Sequence, residues 1–332
     1  EMCIRDSMKA GENVIGKIVA ALRRLGFDAI FDTTVGADLT IMEESKELLK
    51  KLESGDSKYP LFTSCCPGWI RYAETQHKEL LPYISTCKSP MEMFGAVIKE
   101  HFKGLDSSEG VETISVAIMP CTAKKFEASR EEFKRNNVPD VDYVITTIEL
   151  VKMIKEIGIQ FEELDPEAPD MPFSLYSGAG VIFGVTGGVT EAAVRRVVAD
   201  KSPKALKDIE FLGLRGMEGV KVCELPMEES VVRIGVVSGL ANAEALIEKI
   251  ESGEEHFDFV EVMACPGGCI AGAGQPFSHK EEKNARATGM YKADKVSQIK
   301  RCEENPLMLS LYNGLLKHRT HELLHVSYRK ED

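Results

Sequence analysis

The chain has 332 residues, 43% of them hydrophobic, enough to bury a large core as one big domain or two lobes. Its formal charge of -12 without a basic cluster excludes a nucleic-acid role, and no apolar run approaches the roughly 18 residues a membrane span needs. Nine cysteines, an odd count with two adjacent and no secretory signal ahead of them, favour metal or thiol chemistry in the cytoplasm over a disulfide framework.

Residues 1–7 carry no cap, periodicity or targeting pattern and are expected to be foreign to the domain. Residues 13–25 read as a helix closed by Gly26, with a short strand at 29–31. Asp38 reads as the N-cap of a helix running to about residue 52. Strands are expected at 115–119, 231–237 and 259–263, with a helix near 242–250. This alternation of apolar strands and amphipathic helices predicts an α/β fold. The polar stretch 275–284 reads as a link, dividing a two-lobed domain over 8–276 from a small helical tail over 277–332.

Three cysteine sites sit just after apolar segments: Leu61-Phe62 before Cys65-Cys66, Ile118-Met119 before Cys121, and Val262-Met263 before Cys265. Ligands gather at the carboxyl ends of strands in α/β sheets, so a shared site explains this placement. In Cys265-Pro-Gly-Gly-Cys269, two glycines let the backbone fold tightly enough for two thiolates to face one centre. A structural zinc site would show two close cysteine pairs; here only one exists, and Cys66 and Cys121 stand on separate loops. That spacing suits a cubane iron–sulfur cluster better than zinc, with buried structural thiols as the plainer alternative.

Three longer motifs go further. Thr63-Ser-Cys-Cys-Pro-Gly-Trp69, Met119-Pro-Cys-Thr-Ala-Lys-Lys-Phe-Glu127 and Glu261-Val-Met-Ala-Cys-Pro-Gly-Gly-Cys269, followed by Gly274-Gln-Pro276, resemble the cluster motifs of [FeFe]-hydrogenases in order and separation. The resemblance runs from about residue 13 to residue 328 and implies two intertwined lobes, with parallel or mixed sheets flanked by helices around a buried cluster. It implies a [4Fe–4S] cubane held by Cys66, Cys121, Cys265 and Cys269, with Cys269 bridging to a two-iron unit carrying CO, CN⁻ and a dithiolate. It further implies that Lys124 bonds a cyanide, that Met119, Pro120 and Met263 border the two-iron unit, and that Gly180, Phe183 and Gly184 wrap the same pocket.

Glu44, Glu47 and Lys51 share one helix face, which by pattern alone reads as solvated with a Glu47–Lys51 ion pair. The resemblance instead makes Cys65, Glu44, Ser85 and Glu47 a proton relay with Lys51 at its outer end, and leaves Cys87, Cys223 and Cys302 as structural thiols. Met91 stands where many members have glutamine, Ala271 and Ala273 depart from the usual run, and residues 1–10 show no counterpart of the family's segment that contacts a cyanide and the dithiolate. His321-Glu-Leu-Leu-His325 fits the zinc-peptidase pattern H-E-x-x-H, but lies too near the end of the sequence to provide a third ligand and a cleft.

The implied reaction is 2H⁺ + 2e⁻ ⇌ H₂. Ferredoxin or an accessory iron–sulfur domain would be the electron partner, and maturation proteins would supply the two-iron unit. A hydrogenase-like sensor or iron–sulfur scaffold is the alternative; the presence of Cys65, Glu44, Ser85, Glu47 and Lys124 favours the enzyme, since a scaffold needs none of them.

Overall fold

Two small sheets, whose parallel strands end beside cysteines, organise the chain. The computed structural model describes residues 9–55, 58–198, 202–210, 213–227 and 231–328, so the expected foreign leader lies outside the described residues. In chain order come α1 (Ile15–Arg24), α2 (Thr34–Ser54), β1 (Leu61–Phe62), α3 (Pro67–Gln76), α4 (Pro90–Glu109), β2 (Val116–Met119) and α5 (Ala123–Ala128). Next are β3 (Lys134–Arg135), β4 (Val138–Pro139), β5 (Tyr143–Thr146), α6 (Thr147–Ile157), α7 (Gly178–Val181), α8 (Gly188–Val197) and α9 (Pro203–Glu210). The remainder is β6 (Val220–Pro226), β7 (Val231–Ser238), α10 (Leu240–Glu251), β8 (Phe259–Met263), α11 (Lys280–Val296), α12 (Pro306–Asn313) and α13 (Thr320–Leu324).

The larger sheet runs β1-β8-β7-β6, parallel except for β6. Every residue of β8 is buried, as a strand covered on both faces requires, whereas β6 alternates strictly and turns one face to solvent. The second sheet pairs β2 with β5 in parallel, Val116 opposite Tyr143 through Met119 opposite Thr146. Between these parts runs α2. It sends Val35 and Leu39 into a cluster with Met93, Phe94 and Leu324, Ala37 and Ile41 into one with Cys65, Phe183 and Met263, and Leu48 into one with Val194 and Ile234. Over its first half α2 is buried nearly all round, acidic Asp38, Glu43 and Glu44 included, and that makes it the spine of the α/β fold.

Three sequence expectations need correction. Asp38 does not cap α2; it lies inside the helix, and Asp32 instead accepts the Thr34 amide at 2.9 Å. The buried Asp38 carboxylate accepts the Ser177 amide at 2.9 Å and Asn305 Nδ2 at 2.9 Å, tying α2 to α7 and to the tail. Residues 29–31 form no strand, because the Ile30 amide and carbonyl are taken by Asp170, each at 2.8 Å. Finally, α11 begins at Lys280, within the stretch read as a link, where Glu282 accepts the His279 amide at 2.6 Å. The C-terminal helices are no satellite: Leu316, Leu323 and Leu324 pack with α2 and α4, and Tyr328 enters the Trp69 core.

Candidate functional site

The cysteines arrive on strand ends. Cys66 follows β1 and precedes α3, Cys121 follows β2, and Cys265 follows β8. Because β1 and β8 are parallel neighbours while β2 belongs to the other sheet, the cysteines gather where the carboxyl ends of both sheets meet. Backbone contacts knit the three loops together. The Ala264 amide points at Cys66 Sγ at 3.4 Å, and the Gly274 amide donates to the Pro120 carbonyl at 3.0 Å. Any side chain at Gly274 would drive its Cβ to 2.7 Å from the Cys121 nitrogen, so only glycine lets these loops touch. Gly267 and Gly268, at φ 97° and 87°, fold Cys269 back towards Cys265, with the Gly268 amide on the Cys265 carbonyl at 2.9 Å.

The electrostatics of this group call for a cation. Burial pushes up the thiols of Cys66, Cys265 and, furthest, Cys269, and each is raised again by repulsion from Cys121. Such thiols stay protonated until a metal supplies compensating charge. A single tetrahedral zinc would draw thiolate sulfurs to roughly 3.8 Å of one another. Among the described residues, the donor groups gathered within 4.8 Å do not include these cysteines. The cage is therefore wider than one zinc ion wants and fits a multi-iron cluster, for which Cys66, Cys121, Cys265 and Cys269 are the available ligands.

One wall of the cage is apolar. Phe183 and Met263 pack with Cys65, Ile41 and Ala179, and Cys66 and Cys269 lie against them; Met119 packs on the other side with Met91 and Val144. Into this wall reaches Lys124, buried, its Nζ 3.3 Å from the Cys65 carbonyl and 2.6 Å from Glu127 Oε2. Burial opposes its charge, but Glu127 outweighs burial and keeps the ammonium, ready to meet a buried anion. The glycines expected to line the pocket are places of close approach. A Cβ on Gly180 would meet Asp38 and Thr34 at 2.8 Å, and one on Gly184 would meet Met290 at 2.9 Å. Pro120 contributes through its carbonyl, as the joint between two cysteine loops.

The carboxylates of α2 approach from the opposite side. Glu44 is buried; its Oε1 has no hydrogen-bond partner, and burial, helped by Glu47 and Glu261, pushes its carboxyl up to about 8. Ser85 lies beside both Glu44 and Glu47 and favours the charged form of each, and the Cys65 thiol is held protonated chiefly by burial and then by Glu44. Glu47 behaves oppositely. Despite burial its carboxyl is lowered by hydrogen bonds from His325, Ser85 and Thr86, and the Thr86 amide donates to it at 3.2 Å. The four residues expected along a relay thus share one region, whereas Lys51 sits over the Tyr83 ring, 5.3 Å from its centroid.

Sequence reasoning missed the outer end. His325 Nε2 meets Glu43 Oε2 at 3.3 Å and its Nδ1 meets Glu47 Oε1 at 3.6 Å. Burial works against the imidazolium, yet hydrogen bonds to these two carboxylates raise it to about 9. Its signal was the H-E-x-x-H run, whose glutamate plays no part: Glu322 pairs with Arg319 at 2.9 Å. A cleft of about 390 Å³, lined by Glu43, Glu47, Thr86, His321 and His325 among others, opens this end to solvent. Among the described residues, no helix is long and apolar enough to cross a membrane.

The model of the family described as iron only hydrogenase large subunit, C-terminal domain, matches residues 4–273, and that of the iron hydrogenase small subunit matches residues 280–331. The chain is similar to the NADP-reducing hydrogenase subunit HndD of Solidesulfovibrio fructosivorans, 44% identical over 96% of this chain and 56% of that protein. It is also similar to iron hydrogenase 1 of Clostridium pasteurianum, 40% identical over 98% of this chain and 58% of that protein. It therefore spans little more than half the length of these relatives. A structure of [FeFe]-hydrogenase HydA1 from Chlamydomonas reinhardtii superposes with a TM-score of 0.82 at 38% identity, over 97% of this chain and 89% of that one. More distant relatives, 29% identical, are named cytosolic Fe–S cluster assembly factors.

Proposed function

The chain belongs to the iron-only hydrogenase family, and from that premise we propose that it interconverts protons and molecular hydrogen, 2H⁺ + 2e⁻ ⇌ H₂. In this reading Cys66, Cys121, Cys265 and Cys269 hold a [4Fe–4S] cubane, and the apolar wall beside Lys124 takes a two-iron unit with CO, CN⁻ and dithiolate ligands. When bound, the cubane would supply electrons and the two-iron unit the centre at which they combine with protons.

The chain's own residues supply the protons and keep water away. Glu47, ionised and open to the cleft, accepts a proton from solvent. Ser85, whose hydroxyl lies beside both carboxyls, passes it inward to Glu44. Glu44, near 8, can hold or release a proton at neutral pH, and the Cys65 thiol is the last donor before the metal site. Lys124 keeps its charge through Glu127, which is itself held by Ser89 Oγ at 3.0 Å, and offers that charge to a cyanide. Electrons would come from a ferredoxin-type carrier or an accessory iron–sulfur domain, and maturation proteins would install the two-iron unit, in the cytoplasm.

The observation that carries this reading is the buried Glu44 carboxyl beside Ser85 and Cys65, whose Oε1 has no hydrogen-bond partner. A scaffold holding a cubane, the reading that the assembly-factor relatives suggest, has no use for it. The test is anaerobic reconstitution and maturation of the chain, followed by infrared spectra in the CO and CN⁻ region and H₂ evolution. Cys65→Ala should keep the spectrum and lower turnover by about 10²-fold or more, the scale of a lost positioned proton donor. Full activity in Cys65→Ala would remove the relay, and absence of the CO and CN⁻ bands would favour the scaffold.

A further inference from the structure

We propose that Glu47, Cys87 and His325 form a binding site for one zinc-like divalent cation at the outer mouth of the relay. One donor atom from each residue lies within 4.8 Å of the other two. The grouping is built by the backbone. Cys87 and His325 face each other across an antiparallel β-bridge, reinforced by the Lys88 amide on the Leu324 carbonyl at 2.8 Å and the Val326 amide on the Thr86 carbonyl at 2.7 Å. Glu47 comes from the face of α2 that borders the cleft.

The donors are a thiol, an imidazole and a carboxylate, a set that suits zinc with its fourth position left open. Their surroundings fit as well. Glu43 Oε2 lies 3.3 Å from His325 Nε2, so it can orient the ring and leave Nδ1, the nitrogen nearer Glu47, to face the ion. A carboxylate on the non-ligating nitrogen is the usual support of a metal-bound histidine. The cleft beside Glu47 and His325 gives a cation its way in. Lys46 and Lys50 also line that cleft, with Lys46 tied to Glu43 at 2.8 Å, so the ion binds by displacing the proton that His325 holds between Glu43 and Glu47. Binding requires Thr86 Oγ1, 2.8 Å from Nδ1, to rotate aside. It also requires the donors to close by about 1 Å, since zinc at its usual bond lengths holds them roughly 3.3–3.8 Å apart.

An ion there would engage the Glu47 carboxylate and so stop proton entry. This consequence rests on the proposed function; the site itself does not. The experiment uses the chain carrying its iron–sulfur cluster, stripped of loose metal and titrated with zinc chloride. X-ray absorption is then read at the zinc edge, separate from iron. One zinc per chain is expected, with one sulfur neighbour at about 2.3 Å and nitrogen or oxygen neighbours at about 2.0 Å. Cys87→Ala and Cys87→Ser should lose the sulfur shell, and these and His325→Gln should weaken binding roughly tenfold or more. Cys223→Ala should change nothing. Zinc should lower H₂ evolution in the parent and spare Cys87→Ala. No retained zinc, a shell of four sulfurs, or binding unaffected by the Cys87 and His325 substitutions would each overturn the site. If neither protein evolves H₂ before zinc is added, the proposed function fails, and the sulfur shell alone decides the site.

Discussion

Glu44 and Glu47 sit one turn apart on α2 and carry the same side chain, yet the fold moves them in opposite directions. Glu44 faces the cysteine cage, where no cation compensates it, and rises to about 8; Glu47 faces Thr86 and His325 and falls. The inner region is closed and disfavours charge. The outer region is ion-paired and borders the cleft. Two like groups pushed apart in this way are the usual sign of an acid–base assignment. The comparison also shows that burial alone does not decide: both carboxyls are mostly buried, and the hydrogen-bond donors around them set the direction.

Emptying the inner region of its metal ligands should have the largest effect. Cys66→Ala, Cys121→Ala or Cys265→Ala should abolish the cubane absorbance of reconstituted protein, whereas Cys223→Ala, buried with Leu214 and Ile234, and Cys302→Ala, buried in the apolar cluster of Phe183 and Met263, should leave it intact. Equal losses in both sets would mean that the cage is misassigned.

Next in size is the direct contrast between the two glutamates. Glu44→Gln should lower H₂ turnover by about 10²-fold and Glu47→Gln by only about tenfold, since outer donors are easier to replace. Stability should move the other way. The folded value of Glu44, about 8, lies above its ordinary 4.5, so its contribution is whole below 4.5 and is lost as pH rises to 8. At neutral pH folding therefore bears the cost of keeping that carboxyl protonated, and Glu44→Gln should stabilise the fold by on the order of 2 kcal/mol in urea titrations. A variant both slower and less stable would show that Glu44 is held by contacts rather than by a proton.

The smallest effect belongs to the outer clamp. His325 is raised from 6.5 to about 9, so its stabilising contribution is complete below 6.5 and disappears as pH climbs through 9. Denaturation midpoints between pH 6.5 and 9.5 should fall in the parent by the equivalent of roughly 1–2 kcal/mol more than in His325→Gln. Parallel curves would mean that the imidazolium is not what holds Glu43 and Glu47 together.

The cysteine cage was legible because its information is local. Each ligand sits within a few residues of a strand end, a proline or a glycine, and three such motifs in order leave little freedom in what they hold. The α/β alternation, and strand β8 with the C-x3-C turn after it, were legible for the same reason: side-chain period and glycine dihedrals are properties of short segments. Asp38 shows where this stops. Its type and position suggest a cap, but its partners Ser177 and Asn305 lie 139 and 267 residues away.

The tertiary structure alone decided which of two adjacent-turn carboxylates keeps a proton. It also decided that the second half of the expected linker is helix, and that a peptidase-like histidine packs against Glu43 and Glu47. His325 meets Glu43 across 282 residues of sequence, and Thr86 meets Glu47 across 39. The state of a buried charge depends on every group within a few ångströms of it, and those groups become neighbours only when distant segments pack. The sequence therefore determined that the cysteines stand at strand ends, and the packing determined which carboxyl is raised and which is lowered.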